Sequence, residues 1–238
     1  MLWYIGAIHI CWLFRFRFFN GSTFWLNRLP SIPSMKVSFT MARIEGLGRE
    51  ALPANLSLLY RRFTAKDHDF TNQADVLAHS PAAFRHLYGL VEALKQDSTL
   101  PQRLIEIAVV TTSAVNACPY CVGHHATALI AQGLSAQTVA GILDDEPPGL
   151  TDKERLVRDY ARLVTERAWG IRDHVIQELR RHFSDREIVE LTVRVGLCGL
   201  FNKFNQALDI NVEEDVAREI DTIRLKLPLA HHEEDDPQ

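Results

Sequence analysis

The sequence lacks several features that would assign it to a common class of protein. Its 26 Lys and Arg are outnumbered by 30 Asp and Glu, and the formal net charge is -4, so we expect no basic surface for nucleic acid. No G-x-G-x-x-G loop and no C-x-x-C-H haem attachment motif occurs. We find no internal repeat at a solenoid period. These absences predict no nucleic-acid partner and no flavin, nicotinamide or haem cofactor.

Cysteine is also scarce. The 238 residues contain four, Cys11, Cys118, Cys121 and Cys198, which is too few for the disulfide framework of a secreted domain. Two of them form a close C-x-x-C pair, which is typical of a catalytic or metal-binding site in a reducing compartment. We therefore predict a cytoplasmic protein whose chemistry depends on Cys118 and Cys121.

Residues 1–40 differ from the rest of the chain. They are rich in aromatic residues, but Arg15 and Arg17 interrupt the apolar run, which falls short of the roughly 20 residues that a membrane span needs. A signal peptide has its basic residues before the apolar core, whereas these arginines follow it. We interpret this segment as an atypical hydrophobic and basic leader. Three explanations stay open: a translated upstream region with the true start at Met35 or Met41, a membrane-associated leader, or a structured extension. The first is favoured because MARIEGL, from Met41, opens the helical region, and we expect the leader to be poorly ordered.

Residues 41–220 predict an all-helical domain. Ser80 and Pro81 are typical of a helix start, and the segment 101–116 predicts the next helix. The sequences TDKE (residues 151–154) and SDRE (residues 184–187) are capping boxes that open two further helices. Residues 221–238, which end in HHEEDDPQ, predict an acidic disordered tail.

The central feature of this domain is the stretch from Glu106 to His125. Cys118 precedes Pro119, and proline favours the first helical position, so we predict a helix from Cys118 to about Gln132. Cys118, Cys121 and His125 then lie at i, i+3 and i+7, on one face. His125 is four residues from Cys121, close enough to take a thiol proton, and a thiol in the first helical turn favours the thiolate.

Glu106 lies in the apolar run 104–110, where a carboxylate is unexpected unless it is paired. Burial raises the pKa of a carboxyl group, whereas a nearby imidazolium lowers it. Such a residue could orient His125 or pass a proton onward. Glu106, His125 and the thiols therefore predict an acid, base and nucleophile relay.

Glu106, Cys118, Cys121 and His125 together match the E-x11-C-x2-C-x3-H signature of the alkyl hydroperoxidase AhpD-like branch of the carboxymuconolactone decarboxylase family. The resemblance covers roughly residues 43–216. It implies an all-α, AhpD-like fold built from helix pairs, a pair of cysteines that cycles between dithiol and disulfide, and a Glu/His proton relay. It also implies a homo-oligomer (dimer, trimer or hexamer) in which the CPYC helix lines a pocket between subunits. One departure is Tyr120, because family peroxidases often have a histidine between the cysteines.

The predicted function is a thiol-dependent peroxidase without a cofactor or bound metal. Cys121 attacks an organic hydroperoxide or hydrogen peroxide, and Cys118 resolves the sulfenic acid into a disulfide that a thiol or dithiol protein reduces. We assign the first role to Cys121 because of His125, although the helix start also favours Cys118, so the two roles could be reversed. Asn202 and Asn205 resemble polar positions that the family uses near its pocket or subunit contacts, or they are surface amides. Cys198 is predicted to be a buried small hydrophobic residue.

Four alternatives have different chemistry. Cys118, Cys121 and either His125 or His124 could bind zinc, but a fourth ligand is missing. CPYC is also a glutaredoxin motif, but that fold requires flanking strands. The decarboxylase relatives act on lactones and lack the dithiol. A helical oligomer whose cysteines only sense oxidative stress is the fourth alternative.

Overall fold

The structure, a computed structural model, describes residues 42–65 and 70–230. The predicted leader (residues 1–40) and the HHEEDDPQ end of the predicted tail lie outside the described residues. Within the described part, no helix is both long enough and apolar enough to cross a membrane.

The described residues form helices, turns and extended connections, with no β-strand among them. The all-α fold class predicted from the sequence is confirmed. The α-helices of the described ranges are α1 (Ser57–Phe63), α2 (Thr71–Leu77), α3 (Pro81–Asp97), α4 (Gln102–Val115), α5 (Pro119–Ala131), α6 (Ala136–Ala140), α7 (Asp152–Arg167), α8 (Asp173–Arg180), α9 (Asp185–Ala207) and α10 (Glu214–Thr222).

Local sequence signals set the starts of the longer helices. The Ser80 hydroxyl accepts a hydrogen bond from the amide of Ala83, the third residue of α3, and complete capping boxes open α7 at Thr151 and α9 at Ser184. Each cap satisfies amide groups that have no partner within the helix. The sequence analysis did not predict α2 and α10, because their seven and nine residues are too short to show a clear helical period.

Helix α4 lies at the centre of the domain. Eleven of its 14 residues are buried, whereas a surface helix buries only one stripe. It packs against α5, α7 and α9, and apolar residues of these helices form the largest core cluster. Burial on all sides explains why α4 is apolar around its circumference. It also places Glu106, which α4 carries, in the interior.

A smaller apolar cluster joins α1, α2 and α3 through stacked aromatic rings. The rings of Phe63 and Tyr88 lie 4.0 Å apart between centroids, and Phe84 meets Tyr88 edge to face at 4.8 Å. A third cluster surrounds Cys118 and Cys121. The dithiol therefore lies between the two parts of the core and is shielded from bulk solvent.

Residues 221–230 differ from the prediction that a disordered tail begins at residue 221. Leu225 is buried, and Leu227 and Leu229 pack against the main core. The Ala230 amide donates to the Ala114 carbonyl at 2.9 Å. These apolar side chains lie in a segment whose acidic end dominated the compositional prediction. The run of acidic residues begins only after them, at residue 233.

Candidate functional site

Cys118 both ends α4 and begins α5. Its amide donates to the Ser113 carbonyl at 2.9 Å, and Ala117 before it has a positive φ of 50°. This is the Schellman arrangement of a helix C-terminus, in which glycine usually occupies the position of Ala117. Pro119 then opens α5 at its first position. The predicted helix start at Cys118 and its end at about Gln132 are confirmed, and Gly133 after the helix has a φ of 90°.

The two thiols of the C-x-x-C pair share a proton. A hydrogen bond from the Cys121 side chain lowers the pKa of the Cys118 thiol to about 7, helped by the Cys121 amide and by Asn202 and Asn205, although burial opposes the shift. The same hydrogen bond, together with burial, raises the pKa of Cys121. Above about pH 7 the pair therefore holds mainly one proton, which lies on Cys121. This places the thiolate at the helix N-terminus, where the macrodipole favours a negative charge.

Two amides from α9 complete the surroundings of the sulfurs. Asn205 donates to the Cys121 sulfur at 3.2 Å and accepts from Gln73 at 2.9 Å. Asn202 donates to Ser113 at 3.1 Å. The two asparagines are only 2% and 0% exposed, so the alternative that they are surface amides is wrong. Hydrogen-bond donors aimed at sulfur stabilise a thiolate there.

Glu106 and His125 form a hydrogen-bonded dyad. His125 Nδ1 lies 2.8 Å from Glu106 Oε2, and Gln102 donates to the other carboxylate oxygen at 2.5 Å. Burial alone would raise the pKa of Glu106, but the charge of His125 and the hydrogen bonds from His125 and Gln102 outweigh it and lower the pKa. The carboxylate is therefore ionised at neutral pH. It holds His125 with Nε2 as the free ring nitrogen, the arrangement that a base requires.

The sequence analysis expected His125 to contact the Cys121 thiol directly. No hydrogen bond joins these two side chains in the described residues, and the Cys121 sulfur instead contacts Cys118 and Asn205. The spacing places both residues on the same side of α5, but the two side chains are not hydrogen-bonded to each other. A proton passing between them needs an intervening group, such as a water in the cavity described next.

Cys121, His125 and Glu106 line one cavity of about 440 Å³. Helices α3, α4, α5, α9 and α10 of this chain all contribute residues to its walls, which are mostly apolar. Cys118 is fully buried and is not among the residues that line the cavity. A molecule in the cavity would therefore meet Cys121 first. The apolar lining residues include Phe63, Phe70, Val91, Leu94, Ile105, Val109, Leu197 and Phe201.

Sequence reasoning missed a second imidazole and carboxylate pair, whose imidazole, His124, lines this cavity. His124 Nε2 lies 2.7 Å from Glu213 Oε2. Glu213 stands just before the unpredicted α10, 89 residues from His124. No local pattern connects the two residues. The one signal in the sequence was the pair of adjacent histidines at 124–125, in which His124 was predicted only as an alternative to His125 as a zinc ligand.

Cys198 also lines the cavity and is 7% exposed. Its sulfur lies 3.2 Å from the Ser113 hydroxyl oxygen, and burial raises its pKa to about 12. The prediction that Cys198 is buried is confirmed. At neutral pH it is a protonated thiol and a weak nucleophile.

The zinc alternative gains no support from the geometry. In residues 42–65 and 70–230, no three His, Cys, Asp or Glu side chains come together as metal ligands. His125 and His124 each contact a carboxylate, and the dithiol contacts asparagine amides. These side chains therefore do not converge on one point, as a tetrahedral zinc site requires.

Comparisons with known proteins agree with the fold. Residues 81–162 match the model of the carboxymuconolactone decarboxylase family. The chain is 29% identical over 94 residues to the uncharacterized protein YnjA of Escherichia coli K12; the alignment covers 39% of this chain and 52% of YnjA. The matched region thus spans about half the length of that curated relative.

Two solved structures extend the similarity beyond the matched region. A protein of unknown function from Agrobacterium tumefaciens, a putative antioxidant defence protein AhpD, is 32% identical, with 58% of this chain and 94% of that one covered and a TM-score of 0.53. An uncharacterized peroxidase-related protein from Ralstonia eutropha, with an alkylhydroperoxidase AhpD core, is 23% identical, with 74% and 95% covered and a TM-score of 0.67. The chain therefore belongs to the carboxymuconolactone decarboxylase family and has its AhpD-like helical fold.

Proposed function

We propose that this protein is a thiol-dependent peroxidase that reduces organic hydroperoxides through the Cys118 and Cys121 pair. One observation carries the proposal: the Cys121 sulfur and the Glu106–His125 dyad line the same cavity, and Cys118 lies one helical turn before Cys121, where the two thiols shift each other's pKa. A nucleophile, a base oriented by a carboxylate and a second thiol within reach are the parts that peroxide reduction by a dithiol needs.

The reaction consists of two displacements. The Cys121 sulfur attacks the terminal oxygen of the hydroperoxide, an S–O bond forms, the O–O bond breaks, and the alkoxide takes a proton and leaves as the alcohol. The Cys118 sulfur then attacks Cys121, an S–S bond forms, and hydroxide leaves as water with the second thiol proton. The dithiol loses two electrons and two protons, and the peroxide gains them.

The assignment of Cys121 to the first step follows from access. Cys121 lines the cavity and Cys118 does not, whereas the lower pKa belongs to Cys118. Both facts fit one sequence of events, because the Cys118 thiolate accepts the Cys121 proton through their hydrogen bond as Cys121 attacks. His125 exchanges protons with the pair through the cavity, and Glu106 holds it in the required tautomer.

An external thiol or a dithiol protein must reduce the disulfide, because every cycle transfers two electrons to the peroxide and these must be replaced from outside the protein. A cytoplasmic location fits this need because its thiol pools are reducing. Association into a homo-oligomer also belongs to the proposal. The solvent face of α9 carries Val189, Val193 and Leu200, which are 62%, 40% and 42% exposed, a stripe that a second copy could cover.

The direct test is a thiol titration of the purified protein. One equivalent of cumene hydroperoxide should remove two free thiols, and peptide mass spectrometry should locate a Cys118–Cys121 disulfide. A dithiol reductant should restore both thiols and allow repeated turnover. Thiols that stay free after the peroxide is added would refute the proposal, and stoichiometric bound zinc would favour the metal-site alternative.

The cavity predicts a preference for bulky apolar peroxides. A volume of about 440 Å³ far exceeds what hydrogen peroxide needs and suits a drug-sized molecule. Ala128 lines this cavity two turns along α5 from Cys121. We expect Ala128→Phe to reduce kcat/KM for cumene hydroperoxide by about tenfold or more, because its ring occupies the space of the substrate.

Hydrogen peroxide is the internal control for Ala128→Phe, because it fits in the space that remains and reports on the integrity of the thiols. Its kcat/KM should stay within about threefold of the wild-type value. A parallel loss for both peroxides would mean that the substitution distorts the site. Unchanged kinetics for both would mean that substrates do not use this cavity.

A further inference from the structure

The cavity wall carries an imidazole, His124, that the proposed reaction leaves unused, and a carboxylate behind it, Glu213, holds the ring. His124 and Glu213 form an ion pair when the ring is protonated, and both side chains are 6% exposed. The other carboxylate oxygen of Glu213 accepts the Tyr120 hydroxyl at 2.9 Å and the Asn72 amide at 2.8 Å. Phe70 stacks on the His124 ring with centroids 4.3 Å apart. The stacking on Phe70 therefore fixes the orientation of the ring plane, and the contact with Glu213 fixes the position of Nε2.

The second ring nitrogen of His124 is open to the cavity. Nε2 is engaged by Glu213, and Nδ1 makes no hydrogen bond within the described part of the chain. There, only Arg158 Nε is a fully buried side-chain nitrogen or oxygen without a hydrogen bond. Nδ1 of His124 is thus not sealed in the interior. Because His124 lines the cavity, we place this nitrogen at the cavity wall.

The backbone brings this nitrogen to the side of the attacking sulfur. His124 and His125 follow Cys121 by three and four residues on α5, the two spacings at which helical side chains become neighbours. Gly123 lets the segment around Glu213 approach α5 closely: a Cβ there would lie 3.1 Å from Ile220 Cδ1 on α10. The close approach allows a carboxylate 89 residues away to reach His124.

Peroxide cleavage needs two different proton transfers. A base must take protons from the thiols, and an acid must protonate the leaving alkoxide, which is otherwise a poor leaving group. We propose that His124, held by Glu213, is the catalytic acid that protonates the leaving oxygen, while the Glu106–His125 dyad handles the thiol protons. This inference rests on the proposed peroxidase function and assigns the two transfers to separate dyads.

The protons balance in this scheme. As the O–O bond breaks, imidazolium Nδ1–H of His124 donates its proton to the alkoxide, and the alcohol leaves. His125 has taken one proton from the dithiol, and this proton returns to His124 through the cavity before the next cycle. The remaining thiol proton leaves with hydroxide as water when the disulfide forms. No electron donor is required beyond the reductant of the disulfide.

A purely structural role is the competing explanation, because the same ion pair joins α5 to the start of α10. The two explanations differ in how the leaving group affects the rate. tert-Butyl hydroperoxide releases an alkoxide that needs a proton, whereas peracetic acid releases acetate, which needs none. An acid matters only for the first substrate, whereas a disturbed site affects both.

The experiment compares His124→Gln and Glu213→Gln with the wild type in single-turnover reactions with both oxidants. Gln at position 213 keeps an acceptor for Tyr120 and Asn72 but removes the charge that pairs with imidazolium. We expect the rate with tert-butyl hydroperoxide to fall about 100-fold in each variant and the rate with peracetic acid to change less than about threefold. The rate of Cys121 alkylation by iodoacetamide as a function of pH should be unchanged.

Each other outcome is decisive. Equal losses with both oxidants would leave His124 a structural residue and overturn the inference, as would unchanged rates with both. If His124→Gln fails to fold, as judged by its thermal unfolding, Glu213→Gln provides the same comparison. Wild-type protein that does not consume tert-butyl hydroperoxide would overturn the proposed function and this inference with it. If the wild type consumes tert-butyl hydroperoxide but the variants lose the same factor with both oxidants, the inference about His124 is overturned and the proposed function stands.

Discussion

Cys121→Ser should abolish peroxide turnover, whereas Cys118→Ser should complete the first step and then stop. Serine at position 121 leaves only the protonated thiol of Cys198 on the cavity wall, and a hydroxyl at neutral pH is far less reactive than a thiolate. Serine at position 118 leaves Cys121 able to attack, but nothing resolves the sulfenic acid. The expected product of Cys118→Ser is one equivalent of alcohol and a sulfenic acid on Cys121, trapped with dimedone and located by mass spectrometry.

Cys198→Ser is the matched control. Cys198 lines the same cavity, but with a pKa of about 12 its thiol stays protonated, so turnover should persist. Each variant retains Cys11, whose thiol must be distinguished by peptide mapping. Sulfenic acid on Cys118 in the Cys121→Ser variant would reverse the two roles. Loss of turnover in Cys198→Ser would require a third thiol in the cycle.

Glu106→Gln should lower kcat/KM by about 100-fold or more without raising the pKa of the thiols. A glutamine amide donates to His125 Nδ1 and forces the ring proton onto Nε2, the wrong tautomer for a base; in a catalytic triad the equivalent change costs about 10⁴-fold. Removing a negative charge from the cavity, by contrast, makes a thiolate easier to form. In Glu106→Gln, peroxide turnover should therefore fall, whereas the rate of thiol alkylation should stay the same or rise.

The pH dependence separates the two effects. The pKa of Glu106 is lowered, so its carboxylate is already ionised over the pH range in which the thiols titrate. Its own titration therefore does not change the alkylation rate in that range. The wild-type rate of alkylation should rise with pH around the Cys118 pKa of about 7 and level off above it, because the thiolate forms as pH increases. In Glu106→Gln this midpoint should stay the same or fall. A midpoint that rises would mean that Glu106 stabilises the thiolate directly, contrary to the relay.

Glu154→Gln is the control for that experiment. Glu154 is also a buried glutamate, 7% exposed, but it caps α7 and pairs with Arg103, away from the cavity lining. The same chemical change there should lower stability while kcat/KM stays within about threefold of the wild-type value. An equal fall in kcat/KM for both variants would indicate a general effect of losing a buried charge.

The relation between sequence and structure is clearest at α5. Pro119 and Gly133 bound the helix in the sequence and in the structure, because caps depend on residues within a few positions of each other. The capping boxes at Thr151 and Ser184 were predictable for the same reason. The buried Glu106 was also visible, since an ionisable residue inside an apolar run must have a partner.

Contacts between distant segments were not predictable in this way. The spacing of Cys121 and His125 suggested a direct hydrogen bond, but the Cys121 sulfur contacts Asn205 of α9 instead. Glu213 reaches His124 from the start of α10, a helix that packs closely against α5 at Gly123. Helical period determines which face a side chain occupies, but not which other element covers that face.

The sequence by itself determined the all-α class, the main helix boundaries and the four residues Glu106, Cys118, Cys121 and His125, because each depends on local spacing and on resemblance within one stretch. Only the tertiary structure decided which sulfur faces the cavity, which amides contact the thiols and that a second carboxylate joins the site. Those features arise from side chains that are far apart in the chain and meet only when α9 and α10 pack against α5. Their positions are set by packing of the whole domain, which no short sequence pattern encodes.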